Sequence, residues 1–209
     1  MSAGDKQRII IYVDGFNFYY GLKSRNWKRF YWLDIVGFFS QFIRPHQFLV
    51  EVNYFSARPT NIGKADRQDA LFTANKLNPL FKLHLGKFLP KNIVCRTCKS
   101  TIKSFEEKET DVRIATRLIG DVVSGRCDIS ILVSADSDLI PPIEFIREYK
   151  PNHKVIVYFP PGRFSSNLHT LCNSFKKLDG AVKQFESAKL PESITLSTGY
   201  TVKCPEGWA

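Results

Sequence analysis

The chain has 209 residues, 44% of them apolar, which suits one domain with or without appendages and is too many for a disordered polymer. Thirty Lys and Arg against twenty Asp and Glu leave a net charge of +10, which favours a polyanionic partner such as nucleic acid and says nothing of fold. No apolar run approaches the roughly 20 residues of a bilayer crossing, and the N-terminus MSAGDKQRIIIYVDG lacks a signal-peptide layout, so a soluble, cytoplasmic protein with no membrane partner is expected.

Arg8 to Val13 is a continuous apolar run ending at Asp14-Gly15, the pattern of a buried parallel strand. A short helix is expected from Phe16 to Leu22, then a basic, aromatic connection, KSRNWKRFYW. Helical spacing runs from Leu33 to Ile43 and stops before Pro45. Phe48–Phe55 reads as a second strand, Lys64–Leu77 as a helix and Phe81–Leu89 as a third strand. Residues 91–105, polar on both sides of Cys95 and Cys98, are expected to form an inserted hairpin or loop. Glu109–Val123 carries the clearest amphipathic pattern, with Val112, Ala115, Leu118, Ile119 and Val122 along one face. A strand at Ile129–Val133 and a helix at Ile140–Tyr149 follow, with Pro141-Pro142 in the first turn, where missing N–H groups cost little. Lys154–Phe159 should be a fifth strand, Ser166–Lys176 a final helix and Ala181–Phe185 a short last strand. Residues 187–209, rich in Pro, Ser, Thr and Gly, read as a C-terminal tail to a domain spanning residues 1–186. Strands alternating with helices predict an α/β fold with a mainly parallel sheet covered on both faces.

Five cysteines in a chain of this length do not make a disulfide framework, and the single Cys95-x-x-Cys98 is at most half of a structural zinc site, with no second pair at ligand spacing. The acids are more telling. In an open parallel sheet functional residues gather beyond the carboxyl ends of the strands. Asp14 follows the first strand, Asp136 and Asp138 follow the fourth, and Lys108 and Asp111 stand where the long helix must begin on the same side. Each acid has an ordinary reading as well: Asp14-Gly15 as a turn, Asp111 as a dipole-favoured first-turn residue, Asp136 as a helix cap. Together, on one edge, they form a carboxylate cluster suited to Mg²⁺ or Mn²⁺, which with a basic surface points to phosphodiester hydrolysis.

The three stretches YVDGFNFYYGL, EEKETDV and LVSADSDLIPPIEFI, in that order, resemble the NYN family in its LabA-like form, a branch of the PIN-like nucleases, across roughly residues 8 to 180. The resemblance implies a three-layer α/β/α PIN-like fold and a metal-dependent ribonuclease site. It implies that Asp14, Asp111, Asp136 and Asp138 form the acidic cluster, that Asn17 supports it by hydrogen bonding, and that Lys108 orients a carboxylate or contacts phosphate. Two positions depart from the family pattern: Asn173 replaces a frequent aspartate in the final helix, and Ala135 replaces a frequent glycine.

Around such a site, Lys23, Arg25, Trp27 and Lys28 are candidates for a substrate wall, since aromatics beside cations suit single-stranded RNA. Arg163, Ser165 and Ser166, after the fifth strand, can contact a phosphate, although Ser166 can equally be a helix cap. Two rivals stay open: a non-catalytic RNA- or protein-binding module on the same fold, and a phosphatase with Asp136 as nucleophile. The sequence also leaves open a homo-oligomer or a regulatory protein partner.

Overall fold

The structure, a computed structural model, describes residues 6–208. Residues 1–5 and 209, the outer ends of the expected domain and tail, lie outside them. In chain order the elements are β1 (Gln7–Asp14), α1 (Gly15–Ser24), α2 (Ile35–Ser40), β2 (Gln47–Ala57), α3 (Ile62–Asn75), β3 (Phe81–Val94), β4 (Thr101–Lys108) and α4 (Thr110–Val123). There follow β5 (Ile129–Val133), α5 (Ile140–Tyr149), β6 (Lys154–Phe159), α6 (Ser166–Leu171), β7 (Ser174–Lys177), α7 (Val182–Ser187), β8 (Ser193–Thr195) and β9 (Thr201–Lys203).

Seven strands form one sheet in the order β4-β3-β2-β1-β5-β6-β7, parallel throughout except for β4. Ile9, Ile11 and Val13 of β1 face one core with the aromatics of α1 and α2, while Ile10 and Tyr12 face a second core under α4 and α5. That two-sided burial is why RIIIYV has no polar alternation. The architecture is three-layer α/β/α with a mainly parallel sheet, as the sequence predicts.

The chain runs from β1 outward to β2 and β3, then returns to place β5 on the other side of β1. Helices α1, α2 and α3 cover one face before that reversal, and α4, α5 and α6 the other face after it. The reversal opens a crevice between β1 and β5 at their carboxyl ends, the place where ligands bind in such sheets.

Several elements differ from the sequence reading. The helix expected to reach Lys176 stops at Leu171. Asn173 then exchanges two hydrogen bonds with the backbone of Val155, its N–H donating to the carbonyl and its Oδ1 accepting from the N–H, and so starts β7 alongside β6. Ala181–Phe185 is not a strand. Leu178, Ala181, Phe185 and Ala188 are buried at helical spacing, and Phe185 stacks on Phe38 at 4.2 Å and on Phe30 at 5.1 Å. Residues 91–105 are the outer part of one continuous antiparallel hairpin, with β3 running unbroken from the sheet out to Val94. Residues 187–208, read as a tail, fold back over the domain: the Trp32 indole donates to the Pro191 carbonyl, Trp208 packs edge-on against Tyr31, and Val202 is buried. Strands of three residues are too short to show a period, which is why this segment looked structureless.

Candidate metal centre

Asp14 ends β1 and caps α1, and it is 3% exposed. Its Oδ1 accepts from the Asn17 N–H at 2.9 Å and its Oδ2 from the Ser134 hydroxyl at 2.8 Å. The next residue must be glycine, because a Cβ on Gly15 would lie 2.5 Å from the Phe55 carbonyl oxygen. Asn17 reaches across to β5's end, where its Oδ1 accepts from the Ala135 N–H at 3.3 Å. The Ser134 oxygen accepts in turn from the Asp136 N–H at 3.0 Å, and Asp136 Oδ1 caps the turn Ser137–Leu139 through the Asp138 N–H, also at 3.0 Å. One buried hydroxyl therefore sets the spacing between two of the acids.

Asp111 comes from a third segment. It lies in the first turn of α4, placed by Glu109 in a left-handed conformation (φ 80°) and by Glu107, whose carboxylate accepts from the backbone and hydroxyl of Thr110. Carboxylate oxygens of Asp14, Asp111 and Asp136 lie within 4.8 Å of one another. Burial, then the neighbouring Asp14 and Asp136, push the Asp111 carboxyl up to about 6. Burial likewise raises Asp14, against the hydrogen bonds from Asn17 and Ser134.

The donor set fits a hard divalent cation. Three carboxylates offer oxygen only and converge within 4.8 Å, so Asp14, Asp111 and Asp136 would hold one such ion. Asp138 stands outside this group: it is exposed and contributes field, not a place among the converging oxygens. Lys108 belongs to β4 instead of the helix start, is exposed, and pairs with Glu106 at 3.0 Å.

The expected substrate residues divide. Lys23, Lys28, Arg163 and Ser166 are exposed near the ends of α1 and the loop after β6. Arg25 pairs with Asp179, which also accepts from the Gly162 N–H, so it ties α1 to that loop. Trp27 packs edge-on against Phe30 and Phe185 and is partly buried against the core. Ser165, not Ser166, caps α6, through the Leu168 N–H. Asn173 sits at the sheet's amino end beside Val155, away from the acids, so its replacement of an aspartate leaves the cluster intact. Cys95 and Cys98 close the tip of the β3–β4 hairpin; among the described residues no third His, Cys, Asp or Glu joins them to complete a metal group.

Sequence reasoning missed Ser134, although it stands directly before the ADSD motif, and Phe88, whose ring meets Phe16 edge-on at 5.9 Å across the mouth of the site. An open groove of about 520 Å³ between α4 and β3 lies apart from the acids, floored by Glu51, Asn53, His84 and Arg117.

Residues 8–179 match the NYN domain. The chain belongs to the NYN domain family. That places it in the PIN-like nuclease superfamily. A curated relative is the 6-hydroxy-3-succinoylpyridine 3-monooxygenase HspA of Pseudomonas putida, 26% identical over 179 residues, covering 68% of this chain. This chain spans only 56% of that relative's length. The fold is similar to that of VPA0982, a protein of unknown function from Vibrio parahaemolyticus, with a TM-score of 0.57, 22% identity, and coverage of 86% of this chain and 98% of the other. No described helix is long and apolar enough to cross a membrane.

Proposed function

We propose that this NYN domain, of LabA-like type, is a divalent-metal-dependent ribonuclease that hydrolyses phosphodiester bonds in single-stranded RNA. The observation that carries the reading is the meeting of Asp14, Asp111 and Asp136, from three separate segments, at the sheet's reversal. Three carboxylates this close are costly unless a cation joins them. Asp14, Asp111 and Asp136 would hold Mg²⁺ or Mn²⁺, which when bound activates water and neutralises charge on a phosphate under attack. Asn17 and Ser134 fix the carboxylates, Asp138 adds negative field at the rim, and the exposed Lys23, Lys28 and Arg163 would supply positive charge for the RNA backbone. The oxygenase activity in the Pseudomonas relative's name is not carried over, given 26% identity and partial coverage.

The test is cleavage of labelled single-stranded RNA and DNA with Mg²⁺, Mn²⁺ or EDTA, for the wild type and Asp136→Asn. RNA cleavage that needs the metal and is lost in the variant is expected. Cleavage that survives both EDTA and the substitution sinks the reading, and RNA binding without cleavage under any divalent metal replaces it with a non-catalytic module.

A further inference from the structure

The hairpin formed by β3 and β4 leaves the sheet beside the acids. Between Lys87 and Lys108 it carries six cations, Lys87, Lys91, Arg96, Lys99, Lys103 and Lys108, against two carboxylates, Glu106 and Glu107. Twenty-two residues thus hold +4 of the chain's net +10. Lys87 is paired with Glu109, and Lys91 and Lys108 share Glu106. Arg96, Lys99 and Lys103 are exposed and have no acidic partner among the described residues.

The arm also has a direction. Cross-strand partners share a face, so Phe88–Glu107, Pro90–Phe105 and Asn92–Lys103 line one side of the hairpin in succession. That side starts at the metal centre, where Phe88 meets Phe16 and Glu107 holds Thr110, one residue before Asp111. From there it runs outward through Phe105, which is half exposed, to Lys103 and the basic tip. The sheet-side end cannot drift, because a Cβ on Gly86 would lie 2.6 Å from the Lys108 carbonyl oxygen, so the strands are locked close at the root.

We infer that the β3–β4 hairpin is a grip for single-stranded RNA, with Phe88 and Phe105 as stacking surfaces and Arg96, Lys99 and Lys103 as phosphate contacts leading the strand to the acids. Aromatic faces continued by unpaired cations along one track are what an unpaired polynucleotide requires, since every base has a π-face and every linkage a charge. A membrane surface would want the cations spread on a plane, not gathered at the end of a ribbon whose rings lead inward to a carboxylate cluster. The inference rests on the nucleic-acid reading of the same centre.

The test is fluorescence anisotropy of a labelled 20-mer of oligouridylate with the full chain in EDTA, so that no bond breaks, across a salt series. The triple variant R96A/K99A/K103A should bind at least tenfold more weakly at low salt. Its slope of log affinity against log salt should be shallower by about 2, at roughly 0.7 per phosphate contact on a single strand. Phe105→Ala should lose about tenfold with little change of slope. Removing three charges from the amino end of the sheet, in K6A/K150A/K154A, should keep the wild-type slope, and thermal melts verify that each variant folds. Wild-type affinity and slope in the triple variant overturn the arm while leaving the nuclease reading in place. RNA gripped through the arm but never cleaved with Mg²⁺ or Mn²⁺ sinks the nuclease reading and leaves the arm. Capture of phosphatidylserine vesicles with no RNA binding overturns the inference outright.

Discussion

Without a cation, Asp14, Asp111 and Asp136 hold their charges within 4.8 Å of one another, and that repulsion has a measurable consequence. Two like charges at that separation repel by about 3.5 kcal/mol at an effective dielectric of 20. Asp111 takes part in two such pairs, so about 7 kcal/mol acts on it before relief. Protonation and solvent on its open side remove most of this; a remainder of about 2 kcal/mol is expected to burden the metal-free fold. Asp111→Asn lifts that burden with almost no change of shape. In a chain of this length 1 kcal/mol moves the melting temperature by about 2–4 °C, so the variant should melt about 4–8 °C above the wild type in EDTA. Manganese should reverse the order. At a hundred times its Kd it adds about 2.7 kcal/mol to the wild type, while the variant, with one ligand neutral, gains little. Thermal melts in EDTA and over a Mn²⁺ series make the comparison. A variant that melts below the wild type in EDTA, or that keeps the full Mn²⁺ shift, refutes the reasoning.

Ser134→Ala should weaken Mn²⁺ binding by about 10–100-fold, read from the same titration, because it frees Asp14 and leaves the Asp136 N–H unpaired. Asp121→Ala should lower unfolding free energy by about 3 kcal/mol in urea denaturation, since the buried carboxylate accepts from Tyr12, Arg117 and Arg126. Burial holds the His153 imidazole down to about 4, with Nδ1 unpartnered and Nε2 against Ser130, so it is neutral in the fold and charged in the unfolded chain below about 6.5. Stability should therefore fall as pH drops from about 6.5 to 4, by about 3 kcal/mol from this group, and His153→Gln should flatten that part of the wild-type profile. At the hairpin tip the Ser100 hydroxyl, 2.9 Å away, draws the exposed Cys98 thiol down to about 7, whereas burial raises Cys127 and Cys172. Iodoacetamide at pH 7.5 should label Cys98 before either of those two, and Ser100→Ala should slow it; equal labelling of the three would count against this placement.

The sheet was legible because its central strands are buried on both faces, so β1, β5 and β6 appear as apolar runs with turn residues at their carboxyl ends, while β2 keeps enough apolar residues around the buried Glu51 and Asn53 to read as a strand. The acids were legible for the same reason, each standing where a strand or helix must change direction. What stayed hidden depends on contacts between distant segments. Asn173 ends α6 by pairing with Val155, which no local pattern around residue 173 encodes. Phe185 looked like a strand residue until its neighbours Phe30 and Phe38 defined a pocket for it. Trp27 read as a surface aromatic among cations, yet the packing of α7 turns it inward. The odd place of Asp138 follows from its own backbone: its N–H is committed to Asp136, which fixes the turn and leaves its side chain outside the converging oxygens.

The same connection that builds the sheet also builds the site. A chain that went on adding strands beyond β3 would put α4 far from β1 and leave Asp14 a lone buried carboxylate. Turning back to lay β5 against β1 brings Asp136 beside Asp14 through Ser134 and swings the start of α4 over both. The long β3–β4 hairpin leaves and rejoins this path at one place, with Gly86 packed against the Lys108 carbonyl just before α4 begins. Its root lies next to Asp111, since Glu107 of β4 accepts from the Thr110 N–H at the start of α4. The excursion is thus a basic arm planted at the edge of an acidic crevice, and a polyanion that followed the arm inward would be led to the three carboxylates.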